Sequence, residues 1–496
     1  MSLDPRTPVI VGVAQRSWRD GDSPDPIAMC AEVVTAAAQD AGAGDTLLRR
    51  VGSLGVVDMA SRRWADPGAL VAASLGITPP ETVRTQIGGD GPQVLLSDMA
   101  AKIAAGQLDA AIVCGAEALA TLARAMKDGA QPDWPALDEG AAPTRTLGID
   151  RFPASEVELA ADLIAPVLMY PLFENALWAR AGGTVEQHRA RLADLWAGYS
   201  SVAARNEHAW SRTARSAEQI ATPQQGNRLV SLPYTKLLNS HIQTDQAAAL
   251  ILCSVETAQA LGIARDRWVF PHAAGHAYDH WFVSERQNLH SSPAIRFAGR
   301  AALDQAGLTI DAVDRFDIYS CFPSAVQIAC AELGLDAWED ERPLTVTGGL
   351  TFAGGPGNNY VTHSIAAMAE RLRESDGATG LVTAVGWYMT KHAVGVYGSA
   401  PPQRGFASLN VQAEVDATPT RSVAPAGFSG SAAGESATML YDVFGTATIG
   451  AATALLDDGR RVIGKTNDAA TLAALAESPA QGRAMSFDGS GTFTLR

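Results

Sequence analysis

Hydrophobic and polar positions along this chain fall into two alternating patterns. Short apolar runs bounded by glycine or charge, at 8–14, 110–115, 247–253 and 380–386, read as buried strands. Between them, at about 93–105, 185–206 and 358–373, apolar residues recur every three or four positions, which predicts helices. Strands that alternate with helices point to parallel pairing, because a crossover helix is the usual link between parallel neighbours, and the fold class is therefore α/β.

The pattern then repeats. AAQDAG at 37–42, followed by GVVD at 55–58, is matched by AALDQAG at 301–307, followed by FDIY at 316–319. The glycine turn GGDGP at 88–92 precedes one predicted helix and GGPG at 354–357 precedes another, and each helix leads into a buried strand. The shared order predicts two duplicated, layered halves, residues 1–117 with 234–270 and residues 271–398. Tryptophan-rich helices in 118–233 interrupt the first half, as an inserted loop or cap region would. After Pro401 and Pro402 the text turns β-like, with runs at 407–415, 438–444, 446–455 and 461–464 and a hairpin signal, DDG, at 457–459. Residues 401–496 are expected to form an additional β-rich domain, an independent module of barrel-like, oligonucleotide/oligosaccharide-binding (OB) type.

Composition narrows the function classes. With 47% hydrophobic and 18% charged residues the chain is globular rather than disordered. A formal charge of −15 disfavours phosphate backbones and anionic lipid surfaces, and the tail holds nine acidic residues against seven basic ones, so no nucleic-acid partner is expected. No run approaches the ~20 apolar residues of a membrane span, and the start shows no export signal. The five cysteines are scattered and form no CxxC pair, which fits a reducing, cytoplasmic setting.

The duplicated halves, the insertion and the spaced glycine motifs together resemble the thiolase superfamily, in its sterol-carrier-type branch. TGGLTFAGGPGNNYVTH at 347–363 and GWYMTKHAVGVYG at 386–398, with the extra tail, are most similar to the mycobacterial thiolase-like proteins of type 1. The resemblance covers roughly residues 8–397. It implies a duplicated α-β-α-β-α core, acyltransferase ancestry and a thiolate nucleophile at a strand-to-helix turn, where a helix N-terminus lowers the thiol pKa.

Laid residue by residue on this chain, the family pattern puts Gly88 at the nucleophile, Gly355 at the base and Ala384 at the second, proton-carrying cysteine. Tyr319, Ser320 and Cys321 match the oxyanion motif. Small shifts of register do not restore the motifs, since no cysteine lies between Cys30 and Cys114 and no histidine between His290 and His363. The resemblance therefore implies a protein without the thiolase cycle, with no cofactor, that binds a CoA thioester or another acyl ligand in lipid metabolism. The candidate pocket is Gly88, Tyr319, Ser320, Cys321, Gly355, Asn358, His363 and His392, widened by the lost side chains.

Two other readings stay open: an acyl-transferring or hydrolysing enzyme rebuilt around Tyr319, Ser320, Cys321, His363 or His392, and an interaction scaffold that binds no ligand. His272, His276 and His280 have a metal-like spacing if helical, but Gly275 between them favours a loop. A monomer is expected over a dimer, with the tail covering the surface near 82–87 and offering a contact for a protein partner.

Overall fold

The computed structural model describes residues 3–136, 140 and 142–495. Its first sheet runs, in spatial order, Pro8–Ser17, Asp245–Ser254, Ala110–Ala118, Val51–Val56, Glu81–Thr85 and Arg145–Leu147. The second sheet runs Arg315–Asp317, Thr379–Gly386, Lys391–Gly398, Phe270–Tyr278 and Ala407–Asn410. Four strands of each sheet follow one scheme. Asp245–Ser254 lies antiparallel between Pro8–Ser17 and Ala110–Ala118, and the latter pairs in parallel with Val51–Val56. Likewise Lys391–Gly398 lies antiparallel between Phe270–Tyr278 and Thr379–Gly386, which pairs in parallel with Arg315–Asp317. This repeated order is the duplication that the sequence motifs predict.

Helices Gly91–Ala104 and Tyr360–Arg373 pack on each other and on strands of both sheets, which makes them the middle layer. From Tyr360 to Ala369 every residue is buried, as a helix between two sheets requires. Pro26–Asp40 covers the outer face of the first sheet and Pro293–Ala306 that of the second, completing an α-β-α-β-α stack. Both outer helices start with proline at the first turn behind a capping side chain, Asp25 or Ser292, which accepts backbone N–H bonds that the helix leaves open. The inserted region carries the long helix Val185–Arg205, opened by a Thr184/Gln187 capping box, where the periodicity predicts it.

The tail departs from expectation in three ways. First, the predicted run 407–415 divides: Ala407–Asn410 joins the second core sheet beside Phe270–Tyr278, and Gln412–Asp416 is helical. Second, the helix Ala469–Glu477 sits where no helix was expected, capped by Asp468, whose side chain accepts the Thr471 N–H. Third, the β-unit proper begins only at Ser429, and its hydrophobic cluster is completed by Trp178, Val185 and Leu232 from the insertion. Its strands run in the order Arg461–Thr466, Ala447–Leu455, Ser429–Tyr441, Ala484–Asp488, Phe493–Leu495. Among the described residues the two ends of this sheet meet through a single parallel bridge, Lys465 to Thr492, and no closed barrel forms.

The edge next to the glycine turn is also covered differently from the expectation. Arg145–Leu147 pairs in parallel with Glu81–Thr85, so the surface near 82–87 is covered by the insertion, not by the tail. Arg145 holds that cap with bonds of 2.7 Å to Glu81 and 2.5 Å to Asp98.

Candidate functional site

The first glycine turn lies at the inner end of Glu81–Thr85 and opens the central helix Gly91–Ala104. Asn358, from the second half, fixes it: its side-chain oxygen accepts the Gly88 N–H at 3.0 Å and its amide donates to the Asp58 carbonyl at 3.0 Å. A Cβ at Gly88 would stand 2.2 Å from Asp90 Oδ1 and 3.1 Å from Lys391 Cδ. A Cβ at Gly89 would meet the Tyr319 hydroxyl at 2.5 Å, and one at Gly386 would meet Asp90 Oδ1 at 2.6 Å. The space left by the small residues is therefore filled by Asp90, Lys391 and Tyr319, and the expected widening of the crevice does not occur there.

These three groups belong to different elements. Asp90 is the N-cap residue of Gly91–Ala104, yet its side chain makes no capping bond. Burial, opposed by the nearby Lys391 charge, pushes its carboxyl up to about 6. Lys391 opens the strand Lys391–Gly398, is 1% exposed, and donates to the Ile87 carbonyl at 2.6 Å and the Ile149 carbonyl at 2.9 Å. Burial lowers its pKa from the ordinary lysine value. Ala384 faces Ala393 across the same pair of strands, and Gly386 faces Lys391.

The second glycine turn is packed as tightly. A Cβ on Gly354, at φ +108°, would strike Gln246 Oε1 at 2.1 Å. Gly355 donates its N–H to the His241 carbonyl at 2.9 Å, and a Cβ there would stand 3.3 Å from that oxygen. Beside this turn lies a cavity of about 230 Å³ lined by Lys236, Leu237, Asn239, Ser240, His241, Ile242, Gln243 and Thr351. The Ser240 N–H binds the Cys321 carbonyl at 3.1 Å and the His241 N–H binds the Leu350 carbonyl at 2.9 Å, so the cavity wall is tied to both remaining motifs.

Comparison with known proteins decides the relationship. A monomeric SCP2-thiolase-like protein type 1 from Mycobacterium smegmatis is 33% identical over 100% of both chains, with a TM-score of 0.85. The chain belongs to the thiolase superfamily, in its sterol-carrier-type branch. The fold alone is shared with an Ltp2–ChsH2(DUF35) aldolase, 19% identical over 79% of this chain and 98% of that one, TM-score 0.57. It is shared too with the dimeric peroxisomal thiolase of Saccharomyces cerevisiae, 14% identical over 80% of this chain and 98% of that one, TM-score 0.56. No family model and no curated protein matches the chain.

Within this thiolase fold the other sequence-selected residues each have partners of their own. His363 points its Nδ1 at Gln15 Oε1, 3.1 Å away, and burial takes its pKa down to about 3. His392 places Nε2 2.8 Å from the Met389 carbonyl, and burial lowers it to about 4. Ser320 accepts the Leu350 N–H at 3.2 Å through its hydroxyl. Cys321 is buried and its thiol is pushed up to about 12 by desolvation, so it is protonated at neutral pH. Among the described residues no hydrogen bond joins Cys321 to either histidine. The strand Phe270–Tyr278 carries His272 and His276 on one face, about 13 Å apart at the strand rise. His272 faces the Ala400 carbonyl and His280 the Thr418 hydroxyl, and no group of metal-ligating side chains forms among the described residues.

Sequence reading missed Asp90, Lys391 and His241. Asp90 was visible as the one charged residue in GGDGP, and Lys391 as a single cation opening an otherwise apolar run.

Proposed function

We propose that this thiolase-related protein binds an acyl ligand, with a CoA thioester as the first candidate, and forms no covalent acyl-enzyme. The observation that carries the reading is the cavity at Lys236–Thr351, hydrogen-bonded through Ser240 and His241 to the segments that hold Cys321 and Gly355. Its wall offers apolar surface from Leu237 and Ile242, polar groups from Ser240 and His241, and the cation of Lys236 for a phosphate. His241 is held neutral by burial, with the Lys236 charge acting in the same direction, and it serves as a hydrogen-bonding group. At the glycine turn the volume a cysteine side chain would need holds Asp90 and Lys391, which argues against a thioester intermediate there.

Titration calorimetry against acetyl-CoA, acetoacetyl-CoA and longer acyl-CoAs tests this. Saturable binding that weakens in Lys236→Glu and disappears in Leu237→Trp is expected. Absence of saturable association with every ester refutes it. A rebuilt hydrolase gains no support from the geometry, given the high thiol pKa of Cys321 and the separate partners of His363 and His392.

The reading extends to a protein of lipid metabolism in the cytoplasm, and to a monomer, the last supported by Arg145–Leu147, which already occupies the edge of Glu81–Thr85. Sedimentation at micromolar concentration returning a stable dimer refutes the monomer. The strand order of the tail, with a helix between its third and fourth strands, supports an OB-like unit, and Val443 and Phe444 at a hairpin tip, 71% and 90% exposed, support a protein contact there rather than nucleic acid.

A further inference from the structure

Away from the cavity at Lys236–Thr351, the ends of helices Val185–Arg205 and Tyr360–Arg373 converge on the edge strand of the second sheet, Arg315–Asp317. Between them lies a cavity of about 450 Å³, lined by Arg205, Arg315 and Arg371 together with Asp314, Glu374 and Thr345. None of its residues lines the cavity at Lys236–Thr351. The strand begins at Arg315, beside the arginines, and leads on towards Tyr319, Ser320 and Cys321, where the Cys321 carbonyl meets the Ser240 N–H.

Helix ends account for part of this charge. A cation in the last turn offsets the negative end of a helix, which is reason enough for Arg205 and Arg371. Arg371 is also paired with Glu374 at 2.9 Å, and Arg205 donates to the Ser201 hydroxyl at 2.9 Å. Arg315 has no such explanation. A charge on an edge strand wards off a second strand, but a guard of that kind needs only to reach water. The Nε of Arg315 is instead buried, with no hydrogen-bond partner among the described residues. Asp314, its neighbour in sequence, spends Oδ2 on the Thr379 N–H at 2.8 Å and the Thr379 hydroxyl at 3.1 Å. Buried donors are ordinarily paired, so the Arg315 fork stands open for an acceptor that the chain does not supply.

A second cavity, of about 410 Å³, continues the first, since Val202, Arg205, Pro343 and Thr345 line both. Its wall is apolar and aromatic at Leu195, Ala337 and Trp338. The indole is held in place by the Arg191 guanidinium, 3.8 Å from its ring centre, and by a bond of 3.3 Å from its N–H to the Arg191 carbonyl. Asp194 and Glu341 make this end acidic, while Asp340 is neutralised by Arg342 at 2.6 Å. A polyanion laid along the groove would meet those carboxylates. The charge distribution therefore fits one anionic group at the arginine end and an uncharged body beyond it.

We propose that this groove is a second ligand site, for a small phosphate monoester with an apolar or aromatic body. The Arg315 guanidinium takes the phosphate as a fork, two N–H groups to two oxygens, and Arg205 and Arg371 add their charge. The body of the ligand lies along Leu195 and Trp338. A phosphate monoester carries about two negative charges at neutral pH against one for a carboxylate, and it gains correspondingly more from three guanidinium groups.

Calorimetry on the full chain, with phenyl phosphate, inorganic phosphate and benzoate as probes, tests the site. Phenyl phosphate is expected to bind saturably at millimolar concentration or below, and more tightly than the other two. Arg315→Ala removes an unpartnered donor, so the fold should hold, and phenyl phosphate should bind about tenfold or more weakly, the worth of one charge-assisted bond. Trp338→Ala should weaken phenyl phosphate and leave inorganic phosphate unchanged. Lys236→Glu, in the other cavity, should leave both unchanged. Absence of saturable phenyl phosphate binding overturns the proposal, as does wild-type affinity for it in Arg315→Ala or Trp338→Ala. Loss of binding in Lys236→Glu overturns it by placing the phosphate in the acyl cavity. Benzoate binding as tightly as phenyl phosphate overturns it by making the groove a carboxylate site.

Discussion

Replacing Arg461 by methionine should release the tail sheet from the core. The Arg461 side chain is fully buried, and its guanidinium bonds Glu435 through Nε at 2.6 Å and Nη2 at 2.6 Å. Nη1 reaches into the core and donates to the Ser284 carbonyl at 2.6 Å and the Arg286 carbonyl at 2.7 Å. Methionine fills much of the volume but leaves the Glu435 carboxylate, 12% exposed, without its cation, together with two carbonyls short of a donor. Breaking a buried pair by removing one partner costs about 3–5 kcal/mol. The chain has several packed units, so the cost should appear as local opening rather than as one global transition. At about 1.4 kcal/mol per tenfold, a loss of ~3 kcal/mol speeds amide exchange roughly 100-fold in the affected unit. Hydrogen exchange read by mass spectrometry should show this in Ser429–Tyr441, Ala447–Leu455 and Arg461–Thr466, with Pro8–Ser17 and Asp245–Ser254 unchanged. The double variant Arg461→Met/Glu435→Leu should recover part of the loss. Acceleration below about fivefold, or equal acceleration in the core sheets, would refute the latch.

Three other outcomes follow from the same structure. Gly88→Cys should lower stability by about 1–3 kcal/mol by overpacking against Asp90 and Lys391, and should give no thiolysis of acetoacetyl-CoA above a heat-inactivated control; turnover comparable to that of a thiolase would sink the assignment of this turn. Iodoacetamide at pH 7.5 should leave all five buried cysteines unmodified in the native protein and label them quickly in urea, whereas stoichiometric native labelling of Cys321 would contradict its raised pKa. His363 is held neutral down to about pH 3 when folded and titrates near 6.5 when unfolded, so the unfolded chain binds more protons between those values. Its contribution is complete above the unfolded pKa and is lost as pH falls, by up to about 5 kcal/mol once pH is below the folded value; His363→Gln should therefore flatten the fall in melting temperature between pH 7 and 4.5, and an unaltered slope counts against it.

The layered core was legible because burial imposes its own periodicity. Ala110–Ala118, Asp245–Ser254 and Thr379–Gly386 are apolar nearly throughout, as strands covered on both faces must be, and the glycine turns mark where each central helix starts. Arg145–Leu147 was not legible, since three residues carry no period and the strand exists only because the edge of Glu81–Thr85 is there to pair with. For the same reason Ala407–Asn410 read as part of the tail: its partner, Phe270–Tyr278, lies far away in sequence.

The site shows where one-dimensional reading ends. Small residues at 88 and 384, read from the sequence, suggest an empty volume. Close packing works against that inference, because an interior near crystalline density fills such a volume from whatever neighbours the fold supplies. The neighbours here are Asp90, two residues away in the same turn, and Lys391, brought from the opposite sheet across the central layer. A lysine in that position is costly to bury, and it persists with two carbonyls as partners, on the face that also carries Gly386. The glycines of this turn and the residues that bring a carboxylate and a cation into it are thus parts of one packing arrangement, and a change at Gly88, Gly386, Asp90 or Lys391 should be coupled to the others rather than additive.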